Sequence, residues 1–154
     1  MEAARVATPA DLPTVVQLTR ALRAELEPQR GGALWATREA RPEPNESTLR
    51  ALVDAPDACV LVGTIDGVVV GFATVEVEGL RDGTRLGVIR DLFVEEGARG
   101  VGVGEALAEE ILGFCVAAGC VGIDAYALPG ARAAKNFFER SGYTARALIM
   151  HRPL

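Results

Sequence analysis

The sequence predicts a mixed α/β fold of the α+β kind, with strands and helices layered in one domain over residues 1–154. Three observations predict it. An apolar run, Leu86–Val94, leads into a stretch holding Gly97, Gly100, Gly102 and Gly104, and an apolar set at helical spacing (Val103, Leu107, Ile111, Phe114, Ala118) leads out. Asp66-Gly67 separates two β-prone runs, Ala58–Ile65 and Val68–Val77, which is a strong hairpin signal. At 154 residues, 49% apolar and 24% charged, the chain is long enough for a sizeable core and has an ordinary globular balance.

Taken in order, Arg5–Thr8 reads as a short first strand. Thr8-Pro-Ala-Asp11 supplies helix-start chemistry, and Leu12, Val15, Val16, Leu18 and Leu22 carry the apolar stripe of the helix that follows. Pro28 and Gly31-Gly32 end it. Residues 31–44, with Trp35 and Pro42, read as an irregular loop before a short helix at Glu46–Val53. The hairpin comes next, and Asp82-Gly83 marks a turn before the strand ending at Val94. The helix after the glycines, a strand Cys120–Tyr126, a closing helix and a final strand complete the chain.

Net charge is −5, so a general electrostatic partnership with nucleic acid is not expected. The longest apolar run, Ile111–Ile123, is too short to span a membrane and is broken by three glycines. Residues 1–12 lack a basic start and an apolar core, so no signal peptide and a cytoplasmic location are expected. Cys59, Cys115 and Cys120 are odd in number, without CxxC spacing and in apolar surroundings. They read as buried reduced thiols rather than metal ligands, and no metal is expected.

A glycine-rich turn that opens a helix presents unpaired N–H groups and the positive end of the helix dipole, which suits a phosphate. Arg99 offers a second positive contribution. A Walker-type loop is excluded, because Glu105 and Ala106 stand where a Lys and a Ser or Thr are required. A dinucleotide fingerprint starting at Gly100 or Gly102 lacks its last glycine, although Asp124 lies about where a ribose-binding acid belongs. That reading stays open, as does a strand-to-helix connection with no ligand at all.

Arg99-x-x-Gly102-x-Gly104, after a strand ending Leu92-Phe93-Val94, resembles the coenzyme A pyrophosphate motif of the GCN5-related N-acetyltransferase (GNAT) family. Ala134-Lys135-Asn136-Phe137-Phe138-Glu139-Arg140-Ser141-Gly142-Tyr143 is similar to that family's closing helix and the start of the strand after it, in the family's order and separation. The resemblance covers about residues 86–152. It implies a central mixed, mostly antiparallel sheet, splayed between strands 4 and 5 and flanked by helices, with the pantetheine arm entering the splay. It further implies a single N-acetyltransferase domain that moves an acetyl group from acetyl-CoA to a small-molecule or peptide amine in a ternary complex. A non-catalytic acyl-CoA sensor of the same fold is the alternative. Many members pair, so a homodimer is among the expectations.

The resemblance carries coenzyme contacts onto Leu92, Phe93, Val94, Arg99, Gly100, Val101, Gly102, Val103, Gly104, Glu105, Lys135, Asn136 and Phe138, and an oxyanion-stabilising backbone N–H onto Val94. In the closing helix two positions depart from the family: Ala131 replaces a common Asn, and Phe138 replaces the Tyr usually placed near the thioester sulfur. Val88 replaces a catalytic Glu. Acetyl transfer needs a proton acceptor for the amine and help for the leaving thiolate. Asp91, the acid nearest the expected cleft, is the candidate base; the alternative is that it pairs with an arginine on the neighbouring strand. Glu76 and Glu78 share one strand face, solvated or lining a pocket. His151 is the only histidine and reads as a strand-end residue or a proton carrier. Tyr126, on the strand face of Asp124, is the candidate to replace the missing hydroxyl. Trp35 is either a lid over the acceptor or a core anchor.

Overall fold

The computed structural model describes all 154 residues. Helices α1 (Leu12–Leu26), α2 (Gly32–Arg38) and α3 (Asn45–Asp54) follow strand β1 (Glu2–Val6). Strands β2 (Ala58–Ile65), β3 (Val68–Gly79) and β4 (Arg85–Val94) come next, then α4 (Val103–Ala117), β5 (Cys120–Ala125) and α5 (Arg132–Arg140). The five strands form one sheet in the order β1-β2-β3-β4-β5, antiparallel except for the parallel pair β4·β5.

Strand alternation sorts the apolar side chains onto two sheet faces, and each face builds its own core. Val60, Val62, Phe72 and Phe93 pack with Leu12, Val15, Leu22 and Leu49 of α1 and α3. Cys59, Leu61, Ala73, Val75 and Ile89 pack with Val103, Leu107, Ile111 and Cys115 of α4. Helix α4 sits close because the sheet offers no side chain beneath it at two points. A Cβ on Gly63 would lie 2.5 Å from Val103 Cγ1, and one on Gly87 would lie 2.5 Å from Cys115 Sγ. Burial pushes the Cys115 thiol up to about 12, so it stays protonated and packs as a small hydrophobe.

The helix start at Thr8 forms as its residues dictate. Asp11 accepts hydrogen bonds from the Thr8 N–H at 2.8 Å and from the two Arg5 terminal nitrogens at 2.7 and 3.0 Å. The Arg5 guanidinium chiefly lowers the Asp11 carboxyl from 3.8 to about 2. The folded value lies below the unfolded one, so this stabilisation is present above 3.8 and is lost as pH falls through about 2. Asp11→Asn should therefore melt below wild type at neutral pH, and the two thermal midpoints should converge in strong acid. A gap that persists below pH 2 would overturn this assignment.

Three expectations need correction. The first strand is Glu2–Val6, because pairing with β2, from Glu2↔Ile65 to Val6↔Leu61, sets its ends. The loop after α1 contains helix α2, held by packing: Ala36 is buried and Trp35 lies against the α1 core. The strand expected after α5 does not form; residues 143–154 have no regular structure.

Candidate active site

The sheet opens where β4 and β5 part. Their register runs from Arg85↔Cys120 to Ile89↔Ala125, and Arg90–Val94 continue without β5. On its other side, β4 pairs Thr74↔Asp91 and then Val75↔Ile89, so Arg90 is the extra residue of a β-bulge. A bulge bends its strand and increases local twist, and this one stands where β5 departs. It also resets alternation. Ile89 joins the α4 core, whereas Asp91, two residues on, faces the opposite way with Phe93.

Backbone direction follows from the ladder. The Glu95 N–H donates to Val70 O at 2.9 Å, and N–H groups alternate along a strand. The Val94 N–H therefore points away from β3, to the side that β5 has left. At the end of this opening lies the glycine turn, with Gly100 at φ +80° and Gly102 at φ +105° as the N-cap of α4. Those angles are unfavourable for a side-chain-bearing residue. The first helical bond of α4 is Ala106 N–H to Gly102 O. The N–H groups of residues 100–105 donate to no other group of the chain, which leaves a row of donors at a helix N-terminus. Phe137 of α5 lies over this first turn, 3.2 Å from where a Gly104 Cβ would be.

The Arg99 side chain is placed elsewhere than expected. Its Nε donates to Val94 O at 2.7 Å, a terminal nitrogen pairs with Glu25 at 2.8 Å, and the guanidinium lies 5.3 Å from the Phe93 ring centroid. A carboxylate and an aromatic face hold the charge against α1 and the end of β4, away from the turn. Lys135 pairs with Glu139 at 2.9 Å on the exposed side of α5, and Asn136 is exposed beside it. Phe138 is packed edge-on against Phe137 and Tyr143, 5.6 and 5.3 Å between centroids, as part of the α4 core.

Asp91 is 6% exposed. Its Oδ2 accepts hydrogen bonds from Thr74 Oγ1 at 2.5 Å and from an Arg41 terminal nitrogen at 2.7 Å, while Oδ1 accepts none. The expected arginine does exist, but it comes from the loop between α2 and α3 rather than from the adjacent strand. Thr74 and Arg41 were not legible as site residues: one is a polar residue in a strand, the other one charge among many in a loop. The carboxylate borders a small recess together with Trp35, Thr19, Arg20, Arg41 and Asn45. Two buried polar atoms there, Arg41 Nε and Asn45 Oδ1, have no partner. Trp35 thus serves both readings, packed on the core and bordering the recess.

Glu76 and Glu78 do share a face, and both take Arg90, at 3.4 and 2.7 Å, as a solvated charge cluster. Strand β5 ends at Ala125, so Tyr126 lies just beyond it, 56% exposed, and its hydroxyl makes no hydrogen bond within the chain. Asp124 pairs with Arg146, which lowers its carboxyl below the usual range. His151 is exposed in the irregular terminal segment.

A family model described as the acetyltransferase (GNAT) family matches residues 20–143. No curated protein matches the chain. Among solved structures, the tetramutant of the BH1408 protein from Bacillus halodurans is similar at 25% identity with a TM-score of 0.82, covering 98% of this chain and 99% of that one. An aminoglycoside acetyltransferase from an uncultured soil metagenomic sample, in complex with sisomicin, is similar at 21% identity and TM-score 0.74, covering 99% and 95%. Glucosamine-6-phosphate N-acetyltransferase from Arabidopsis thaliana is similar at 18% identity and TM-score 0.73, covering 99% and 98%.

Proposed function

The chain belongs to the GNAT family of acetyltransferases, and from that premise we propose that it moves an acetyl group from acetyl-CoA to an amine by direct transfer in a ternary complex. The observation that carries this reading is the row of free N–H groups at residues 100–105, set at the end of the β4–β5 opening. Backbone donors at a helix N-terminus suit the coenzyme's diphosphate without help from a side chain. Gly100, Val101, Gly102, Val103, Gly104 and Glu105 form that seat. Arg99 acts at one remove, fixing the end of β4 through Val94 O. Leu92, Phe93 and Val94 offer backbone along the opening to the pantetheine arm, and Lys135 and Asn136 flank the outer portion from α5.

Bound there, the thioester supplies the acyl group; the amine nitrogen bonds to its carbonyl carbon as the carbon–sulfur bond breaks. The Val94 N–H stabilises the carbonyl oxygen as it gains charge. Asp91, with Oδ1 free, takes the proton from the amine. Tyr126 returns a proton to the departing thiolate, since its hydroxyl is uncommitted within the chain. Tyr126→Phe should lower kcat at least tenfold, since general acid catalysis contributes roughly 10²–10⁴-fold, and leave coenzyme affinity intact. Wild-type kcat in this variant, with chemistry limiting, would remove Tyr126 from the mechanism.

The acceptor is an amine of a small molecule or a peptide, and the working unit is one domain, residues 1–154, in the cytoplasm. No helix is long and apolar enough to cross a membrane. The second reading, an acyl-CoA sensor that binds without transfer, is favoured by one feature: Phe138 supplies no hydroxyl and is packed in the core. A thiol-release assay over a panel of amines separates the two. Turnover above the hydrolytic background supports transfer, and calorimetric binding of acetyl-CoA without turnover of any amine supports the sensor.

A further inference from the structure

The recess beside Asp91 is lined by two residues with a buried polar atom that nothing in the chain answers, Arg41 Nε and Asn45 Oδ1. Asn45, the first residue of α3, is 3% exposed. Its neighbours fix which way its amide faces. Thr19 Oγ1 gives its proton to Val16 O at 2.6 Å, so toward Asn45 it accepts, and Asn45 Nδ2 donates to it. Glu43 Oε1, 3.5 Å from the same nitrogen, is an acceptor too. Oδ1 is therefore left over as an acceptor. Arg41 spends a terminal nitrogen on Thr74 and Asp91, at 3.2 and 2.7 Å, and its Nε–H is left over as a donor. Both atoms have lost their hydration, which is costly until something replaces it.

Size and polarity together restrict what can answer both. The recess has room, about 10 Å³, for one water-sized group. A carboxylate or phosphate is larger and only accepts, so it would face Asn45 Oδ1 lone pair to lone pair. An ammonium only donates and would leave Arg41 Nε without an acceptor. A methyl group leaves both atoms unpaired. A hydroxyl suits both: its oxygen accepts from Arg41 Nε, and its proton goes to Asn45 Oδ1.

We propose that this recess reads a hydroxyl carried by the acceptor a few bonds from its amine, which makes amino alcohols the substrate class. The inference rests on the acetyl-transfer reading for the amine itself. Asp91 joins the two groups, because it borders the recess and its Oδ1 is free to take the amine. Arg41 then has two tasks: its terminal nitrogen holds Asp91 Oδ2, and its Nε meets the hydroxyl oxygen. Asn45 has one, to accept the hydroxyl proton, and it contributes to specificity alone. Water offers the same O–H chemistry. The test therefore separates a recess that admits the substrate's hydroxyl from one that keeps a water.

Matched amines supply the probes: ethanolamine against propylamine, propanolamine against butylamine, and butanolamine against pentylamine. In each pair a methyl group replaces the hydroxyl. Affinity is read by ligand-observed NMR with coenzyme A present, and kcat/KM with acetyl-CoA. In at least one pair the alcohol should be favoured by about tenfold or more in both readouts, since a site built for a hydroxyl rejects the analogue lacking it. Asn45→Leu keeps the branched shape and removes the acceptor. It should bring that ratio to within about threefold of one, while the Kd for acetyl-CoA holds. The wild-type ratios stand even if the variant does not fold. Ratios near one in every pair, with amines turned over, leave acetyl transfer standing and overturn the hydroxyl recess in favour of a bound water. Selective binding of an alcohol without turnover of any amine does the reverse: the recess stands and the transfer reading falls. A preference that survives unchanged in Asn45→Leu overturns the proposal, as does no measurable binding of any of the three alcohols.

Discussion

Gly102→Val should lose coenzyme A binding by at least a hundredfold, equivalent to about 2.7 kcal/mol. Two effects act together. Gly102 sits at φ +105°, where a β-branched residue is strained, so the turn would shift and the row of N–H groups would lose its common direction. A valine side chain would also stand where a phosphate must approach backbone. Because the first effect touches local structure, Val101→Glu provides the companion test. Val101 is half exposed in the centre of the same turn, so a carboxylate there costs little in folding and repels a diphosphate directly. Calorimetry with coenzyme A should show weakened binding in both variants, alongside native circular dichroism in Val101→Glu. Unchanged affinity in a folded Val101→Glu protein would move the phosphates away from residues 100–105.

Asp91→Ala should cost about 3–5 kcal/mol of stability, as removal of one partner from a buried ion pair does, and should lower the melting midpoint by roughly 6–20 °C. The cost falls on Arg41, whose Nε already lacks a partner and whose terminal nitrogen would lose its carboxylate. Arg41→Ala combined with Asp91→Ala should therefore destabilise by less than the sum of the two single changes. Stability alone does not identify a proton acceptor, so Asp91→Asn is the decisive variant. The amide keeps an oxygen for Thr74 and most of the volume, yet it accepts no proton. If Asp91 serves as the base, kcat should fall by about 10²–10⁴-fold while the Kd for acetyl-CoA holds. A folded Asp91→Asn enzyme with wild-type kcat would make Asp91 a purely structural ion pair.

Much of the fold was legible in local pattern. The stripe from Leu12 to Leu22, the Asp66-Gly67 hairpin and the strand–glycine–helix unit from Leu86 to Phe114 are each set by residues close in sequence, and each stands where expected. The glycine turn was legible for the same reason, because glycine alone tolerates the positive φ found at Gly100 and Gly102 without a side-chain clash.

The failures share a different cause. Helix α2 is a seven-residue helix with a weak pattern of its own, and packing of Trp35 and Ala36 against the α1 core stabilises it. The Arg90 bulge has no mark in the sequence, yet it turns Asp91 to the face opposite Ile89, so simple alternation could not say where the carboxylate points. Asp91 meets Arg41 across fifty residues of chain, and Arg99 turns to Glu25 across seventy-four. Sequence by itself determined the hairpin, the donor-rich turn and the apolar stripes of α1 and α4, because periodicity and backbone preference act within a few residues. Tertiary structure alone decided which charges meet, where β5 leaves β4, and that the terminal segment stays outside the sheet. Those outcomes depend on which surfaces come into contact once the sheet has formed, and no short stretch of sequence encodes them.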